Sequence, residues 1–380
     1  MEEKQIDIGI LTFPIGKSGI VPLSNLISIM SSISRELHVV TGGAGYTPNA
    51  YGNNVHFYEI KHKETARGIF GRIMNYFQTQ VAISCRIINL TRKVDLWILS
   101  IGGEGMLLPI LTAKLLRKVV IIVSAGSGFR VSIAQKDKLA GMLGILQQIS
   151  YRLSDRIILY SERIIHELNL QQLSRKISVA PRHFLDFTKF TILKPLNERN
   201  AIIGYIGSLN EAKGVVGLLE AIPLILKENN RVNFLIGGAG VLETRIKNDL
   251  KEKRLDDKVK FTGWIPHEKV PDFLNELILL VLPSETEGLP NIILEAMACG
   301  TPVLSTPVGA VPDVITDGET GFLLENSSPE CIAENIIKTL NHASLDRIAY
   351  NAGTLVKARF SYANALERYK KILAELIENK

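Results

Sequence analysis

Two carboxylates with a glycine–proline loop between them are the residues in this chain best suited to chemistry. Glu287 and Glu295 have seven residues between them in the stretch 284–300, SETEGLPNIILEAMACG. The apolar run Leu277–Leu282 precedes this loop and is typical of a buried parallel strand. A strand, a loop and a helix N-terminus in that order present free N–H groups and a positive dipole end, which suits a diphosphate. The two glutamates can then accept hydrogen bonds from hydroxyl groups on either side of it.

The simpler alternative is a surface helix with two solvated glutamates. In that interpretation Pro290 occupies the first helical turn and Gly300 ends the helix. The position of the loop directly after a hydrophobic strand favours a binding site, because ligands bind beyond the carboxyl ends of the strands in open α/β sheets.

A lysine follows another predicted strand in the stretch 207–214, GSLNEAKG. The stretch approximates a P-loop but fails it, because Ala212 replaces the last glycine and Gly214 replaces the serine or threonine that would hold magnesium. What remains is Lys213, a point charge that can meet a phosphate. A solvated lysine is the alternative, and the Glu287 loop elsewhere in the chain favours a diphosphate partner.

Three glycine loops follow predicted strands. Gly16 and Gly19 come after the first strand, where they let the backbone approach a ligand closely. The stretch 237–240, GGAG, is either a tight turn or a ligand contact. The stretch 41–45, TGGAG, resembles the nucleotide loop of short-chain dehydrogenases, but Pro48 takes the place of the third glycine, so a plain turn explains it better.

Strands and helices alternate throughout the chain, which predicts an α/β protein with parallel sheets. A short polar stretch, 195–200, is the predicted linker, and a final amphipathic helix covers about Tyr362 to Glu378. The predicted strands of the first half are 6–13, 37–41, 96–100, 119–123 and 156–160, and those of the second half are 202–207, 233–237, 259–262, 277–282, 302–305 and 321–324.

Composition is that of a globular protein and predicts two domains. The 380 residues are 46% apolar and 22% charged, and no apolar run reaches the ~18 residues of a membrane helix. No signal peptide is recognisable, and three scattered cysteines predict neither disulfides nor a metal site, which favours the cytosol.

Residues 1–195 carry a net charge of +11 and residues 196–380 carry −5. The basic half suits an anionic membrane surface or a phosphorylated acceptor better than nucleic acid, because no nucleic-acid motif is present.

Two segments of the basic half combine apolar residues at helical spacing with cations. The first contains Lys61, Lys63, Arg67 and Arg72 around an apolar stripe, and the second extends from Lys136 to Arg152. Such helices can lie on a membrane surface. The alternative is a pair of core-facing helices with solvated basic faces.

The second half resembles the retaining glycosyltransferases of family 4, which have the GT-B fold of two facing Rossmann-like domains. The resemblance rests on Gly207–Ser208 with Lys213–Gly214, on the stretches 237–240 and 261–265, and on the Glu287–Glu295 pair in its loop. It implies an acceptor-side domain over 1–195, a nucleotide-sugar domain over 196–360, and a helix at 361–380 that returns to the first domain.

The resemblance also implies roles for individual residues. Glu287 would hold hydroxyls of the donor sugar, and Glu295 would hold the nucleotide ribose. Lys213 would neutralise the diphosphate, which the Gly16–Gly19 loop would approach, and the backbone near Ile265 would meet the base. The remaining donor-binding positions that it implies are Ser208, Gly288, Leu289, Pro290 and Asn291.

Three positions depart from the family pattern. The family usually has an arginine where this chain has Ser208, so Lys213 carries the phosphate charge alone or with another cation. A histidine commonly follows the strand at 119–123; here the stretch is SAGSG, and Arg130 is the nearby candidate substitute. The usual Asn-Gly near residue 183 is Arg182–His183.

The sequence therefore predicts a glycosyltransferase that moves a sugar from a nucleotide-sugar to a lipid-linked or glycan acceptor at the cytosolic membrane face. The resemblance implies retention at the anomeric carbon. No carboxylate cluster for a metal is visible in the sequence, which favours a metal-free mechanism, and no resident cofactor is expected because the nucleotide-sugar is a substrate. A catalytically silent sugar-nucleotide-binding subunit is the alternative, since the family arginine and histidine are absent. An epimerase of the same fold is disfavoured by the glutamate spacing.

Overall fold

The chain forms two compact units, each built on a parallel sheet. The computed structural model describes residues 6–61, 68–124 and 139–378. The first unit contains residues 1–183 and 363–380, and the second contains residues 184–362. Both sheets are parallel throughout, so the predicted α/β class with two Rossmann-like domains is confirmed.

Seven strands make the sheet of the first unit, in the order β3-β2-β1-β4-β5-β6-β7. Strands β1, β2, β4, β5 and β6 lie where the apolar runs predict them, because their side chains are almost all buried. Strands β3 and β7 were not predicted. The bounds are β1 Ile8–Leu11, β2 Leu37–Thr41, β3 Val55–Glu59, β4 Leu96–Ser100, β5 Val119–Ser124, β6 Arg156–Leu159 and β7 Ile177–Val179.

The described helices of the first unit are amphipathic or apolar segments between these strands. The predicted C-terminal helix agrees with α12, which returns to the first unit: the Tyr369 side chain is fully buried and its hydroxyl donates to the Ala180 carbonyl oxygen over 3.3 Å. The bounds are α1 Ile20–Ser31, α2 Gly68–Leu90, α3 Leu107–Leu115, α4 Ala140–Leu153, α5 Arg163–Glu167 and α12 Tyr362–Glu378.

Six strands make the sheet of the second unit, in the order β10-β9-β8-β11-β12-β13. Strand β11, the predicted buried strand before the glutamate loop, lies between β8 and β12. Its strands are β8 Ile202–Ile206, β9 Asn233–Gly237, β10 Val259–Gly263, β11 Leu279–Leu282, β12 Val303–Ser305 and β13 Phe322–Leu323, and its helices are α6 Val215–Glu228, α7 Glu243–Glu252, α8 Val270–Glu276, α9 Asn291–Ala298, α10 Pro329–Leu340 and α11 Leu345–Arg359.

The compact units divide between His183 and Phe184, earlier in the chain than the predicted boundary at 195. Contacts of the Asn275 side chain explain this position. Its Oδ1 accepts from the Leu193 N–H over 2.8 Å, and its Nδ2 donates to the Thr191 carbonyl oxygen over 3.0 Å. The segment before the polar linker is therefore fixed to the second unit.

Helix α2 exposes its apolar stripe. Phe70 is 76% exposed and Phe77 is 56% exposed, and Ile73 and Val81 of the same stripe are also exposed. The alternative in which this stripe packs into the core is therefore wrong for α2. Lys63, Arg67, Arg130 and Lys136 lie outside the described residues. No helix in the described part of the chain is both long enough and apolar enough to span a bilayer.

Candidate donor site

The predicted lysine and the first glutamate of the pair are in direct contact. Lys213 Nζ lies 2.6 Å from Glu287 Oε1, and Ser284 Oγ donates to the same oxygen over 2.9 Å. The Glu287 side chain is 9% exposed and that of Lys213 is 27% exposed. A buried carboxylate is stable only with such partners, because losing its hydration is costly.

Neighbouring strands explain why these two residues meet. Lys213 ends the turn after β8, and Glu287 lies in the loop after β11, which pairs with β8 in parallel. The Glu285 N–H donates to the Ala212 carbonyl oxygen over 2.9 Å, which joins the two loops directly. Carboxyl ends of adjacent parallel strands share one sheet edge, so residues far apart in the chain come together there.

The second glutamate has a partner that the sequence analysis did not identify. Glu295 lies in α9, its side chain is 4% exposed, and its Oε1 lies 2.8 Å from His267 Nε2. The hydrogen bond and the charge of Glu295 raise the pKa of His267 above its ordinary value, against the opposing effect of burial. The His267 ring also lies 5.4 Å from the Phe190 ring, centroid to centroid. Its position two residues after Ile265, at the same sheet edge, was the available sequence signal.

The other predicted donor positions surround this pair. Tyr205 donates from its hydroxyl to the Ser208 carbonyl oxygen over 2.8 Å and so fixes the turn where the family arginine is absent. The Gly288 carbonyl oxygen accepts from the Ala310 N–H over 2.7 Å, and Leu289 is buried. Pro290 and Asn291 begin α9, so the predicted strand–loop–helix order is confirmed.

Ile265 lies at the end of β10, beside the glycine loop that ends β9. Its side chain is 8% exposed, and a Cβ built on Gly237 would lie 2.5 Å from Ile265 Cδ1. The Ile265 side chain therefore packs directly against the Gly237 backbone, and the contact of the Ile265 backbone with a base stays a prediction.

Gly16 and Gly19 belong to the first unit. They lie next to the 41–45 turn, because the Ala44 N–H donates to the Ile15 carbonyl oxygen over 2.9 Å and the Ile15 N–H donates to the Gly42 carbonyl oxygen over 3.2 Å. The dehydrogenase-like loop is thus a plain turn that supports the first glycine loop. No helix of nucleotide-binding type begins at it among the described residues.

Within the described residues, no group of three or more His, Cys, Asp or Glu side chains could hold a metal ion. What the second unit offers is one cation, two buried carboxylates and a helix N-terminus at the carboxyl edge of its sheet. These parts can bind an anion flanked by hydroxyl-bearing groups.

Comparison with known proteins agrees with this chemistry. Residues 187–355 match the family model described as glycosyl transferases group 1. N-acetyl-alpha-D-glucosaminyl L-malate synthase of Bacillus anthracis is 24% identical over 99% of this chain and 98% of its own length. The capsular polysaccharide biosynthesis glycosyltransferase CapM of Staphylococcus aureus is 29% identical over 58% of this chain and 61% of its own.

Solved structures with the same fold cover the whole chain. Sucrose-phosphate synthase of Thermosynechococcus elongatus superposes with a TM-score of 0.80 at 16% identity, over 99% of this chain and 100% of its own. Anabaena HepE, solved with UDP and glucose, has a TM-score of 0.76 at 16% identity over 96% of this chain and 99% of its own.

The His267–Glu295 contact predicts a pH-dependent stability. The folded pKa of His267 is raised, so the contribution of the contact is complete below the unfolded pKa of about 6.5 and is lost as pH rises through the folded pKa. The partly exposed histidine limits the effect to at most about 1 kcal/mol. Urea unfolding at pH 6 and pH 9 should show this loss in the wild type and not in His267→Gln. An equal pH dependence in both proteins would contradict the assignment.

The chain therefore has the GT-B fold, and residues 187–355 match the model of the group 1 glycosyl transferases, in agreement with the resemblance inferred from the sequence.

Proposed function

We propose that this protein is a retaining glycosyltransferase that moves a sugar from a nucleotide-sugar to a lipid-linked or glycan acceptor at the cytosolic membrane face. The observation that carries the proposal is the Lys213–Glu287 contact beside the buried Glu295, within a group 1 domain. Anabaena HepE, solved with UDP and glucose, and the capsule enzyme CapM support the donor class and a glycan acceptor.

Lys213 is the diphosphate cation in this proposal, and Glu287 holds the donor sugar. Both described contacts of the Glu287 carboxylate fall on Oε1, so Oε2 is the oxygen that accepts from a sugar hydroxyl. Lys213 is partly exposed and has three donors, so it can serve Glu287 and a phosphate oxygen together. The helix N-terminus at Asn291 adds favourable N–H groups for the leaving diphosphate.

The reaction balances without a resident cofactor. The bond from the anomeric carbon to the leaving phosphate oxygen breaks, and the bond to the acceptor oxygen forms on the same face of the ring. The acceptor proton passes to the leaving phosphate. Fixed positive charge near that phosphate stabilises the transition state without reorganisation during the reaction.

A membrane-facing acceptor is supported by the helices of the first unit. Helix α2 packs against α3, which packs against α4, and none of the three contains Asp or Glu. An apolar surface without carboxylates suits the interface of an anionic bilayer. Eleven large apolar side chains on these helices are exposed: Ile69, Phe70, Ile73, Met74, Phe77, Val81, Ile88, Leu111, Leu115, Met142 and Ile145.

Removing the cation tests the catalytic proposal. Lys213→Ala should lower kcat by about 10²–10³-fold, corresponding to about 3–4 kcal/mol of transition-state stabilisation. Circular dichroism should show a folded protein, and Lys227→Ala, which removes an exposed lysine of the same unit, should leave the rate unchanged. A Lys213→Ala protein with wild-type kinetics would exclude the proposed role of this lysine. A wild type that binds nucleotide-sugars without transferring the sugar would favour the silent nucleotide-binding subunit.

Replacing each glutamate by glutamine should affect a different step, sugar transfer for Glu287 and nucleotide binding for Glu295. Glu287→Gln should reduce sugar transfer while the nucleoside diphosphate still binds, because the residue meets the sugar. Glu295→Gln should weaken binding of the nucleoside diphosphate itself, because the residue meets the ribose. Isothermal titration calorimetry measures both affinities. An unchanged affinity in Glu295→Gln would refute its contact with the ribose, and unimpaired sugar transfer by Glu287→Gln would refute its contact with the sugar.

The membrane proposal makes a separate prediction. The purified protein should co-sediment with vesicles of anionic phospholipid, less strongly as salt rises. The double variant Phe70→Ser/Phe77→Ser should bind at least about tenfold more weakly, because each buried Phe contributes about 1.5–3 kcal/mol. Val241→Ser/Tyr350→Ser removes two exposed apolar side chains of the second unit and should bind normally. If the wild-type protein does not bind these vesicles at low salt, the membrane proposal is wrong and a soluble acceptor is favoured.

A further inference from the structure

A buried arginine in the first unit lies where three strands end. Arg182 follows β7 and is 4% exposed. Its Nη1 donates to the hydroxyl of Ser100, the last residue of β4. Its guanidinium carbon lies 5.5 Å from the centroid of the Tyr160 ring, directly after β6.

This guanidinium carries a charge that no carboxylate balances in the described ranges. Within the described residues, its Nε is buried without a hydrogen-bond partner, and so is His183 Nδ1 beside it. The Tyr160 hydroxyl is buried as well, with Arg182 as its neighbouring charge. Burial, with the charge of Arg182 as the second cause, lowers the pKa of His183 to about 3, so the imidazole is neutral. A buried cation without a counter-charge destabilises a fold, and unsatisfied buried polar groups are rare in native proteins.

The position of the cluster is one where α/β proteins bind ligands. Ser100 and Tyr160 lie at the carboxyl ends of β4 and β6, and Ser124 ends β5 between them. The Ser124 hydroxyl accepts from the Tyr151 hydroxyl over 3.1 Å, so this network is satisfied, unlike the one around Arg182. Two buried nitrogen atoms without a partner in the described residues, Arg182 Nε and His183 Nδ1, lie together near this edge.

We propose that Arg182, with Ser100 and Tyr160, binds an oxyanion, a phosphate or a carboxylate, at the carboxyl edge of the first sheet. The guanidinium fork matches the planar geometry of a carboxylate and also binds phosphate oxygens in pairs. The two hydroxyls can each donate one further bond. The near-complete burial of Arg182 selects a terminal anionic group rather than a whole sugar.

The oxyanion belongs to the acceptor substrate. This assignment rests on the proposed function. The donor glutamates and Lys213 all belong to the second unit, whereas the oxyanion cluster belongs to the first. The acceptor would therefore carry a phosphate or carboxylate group, which agrees with the net charge of +11 over residues 1–195.

Arg182→Met tests the site through stability, with inorganic phosphate and succinate as probes. Phosphate at saturation should raise the Tm of the wild type by on the order of 3 °C and that of Arg182→Met by much less. The matched control Arg175→Met removes an exposed arginine of the same unit and should respond as the wild type does. Without either probe, Arg182→Met should be as stable as the wild type or more stable, because it removes an uncompensated buried charge.

Two outcomes would overturn the proposal. One is an equal response of Arg182→Met and the wild type to both probes, which would mean that the anion binds elsewhere. The other is a loss of stability in Arg182→Met without any probe, together with an unchanged shift on addition of phosphate, which would make the arginine structural. Nucleoside diphosphate binding is measured in the same samples, so that its absence counts against the transferase and leaves the oxyanion result to be judged separately.

Turnover distinguishes the two sources of the oxyanion. Inorganic phosphate should compete with the acceptor, and this inhibition should disappear in Arg182→Met. Inhibition that higher acceptor concentrations do not relieve would show that the site holds a free ion, and would overturn its assignment to the acceptor.

Discussion

The donor site depends on direct contact between the backbones of successive strand-to-helix loops in the second unit. A Cβ on Gly214 would lie 2.0 Å from the Pro283 carbonyl oxygen, and the φ of this glycine is +68°. A Cβ on Gly309, with a φ of +56°, would lie 2.2 Å from the Glu287 carbonyl oxygen. Neither position accepts a side chain without moving the loop that carries Glu287. The loops after β8, β11 and β12 therefore pack backbone against backbone, independently of any charged contact.

This arrangement places a lysine and a carboxylate in contact at the proposed diphosphate site. Lys213 and Ser284 both contact the same oxygen of the Glu287 carboxylate. In the proposed complex, a diphosphate shares Lys213 with Glu287. Once one of the two anions has ordered the lysine side chain, the other binds it at a lower cost in side-chain entropy. Recognition of the sugar and of the phosphate are then coupled through one side chain, and such coupling acts equally in both directions.

The sequence predicted the elements with strong local signals. The apolar run of β11 and the glutamate spacing around α9 define the donor loop, because burial on both faces and helix termini leave clear patterns. Strand β3 was missed because it is an edge strand with half-exposed residues such as His56 and Tyr58, and β7 because it has only three residues. The contact of His267 with Glu295 and the hold of Asn275 on the 191–194 segment depend on tertiary packing, which local patterns do not encode.

The two units differ in whether their buried charges are paired and their apolar side chains covered, and this difference fits separate roles in donor and acceptor binding. In the second unit the charged groups of the site are paired, as Lys213 is with Glu287 and Glu295 is with His267. The first unit instead exposes Phe70 and Phe77, and it buries Arg182 without a counter-charge among the described residues. Each of these features lowers the stability of the folded protein, and such features are retained mainly at binding sites. These differences fit the proposed roles of the two units, because a transferase must hold a reactive donor rigidly, while the acceptor supplies the missing contacts only when it binds.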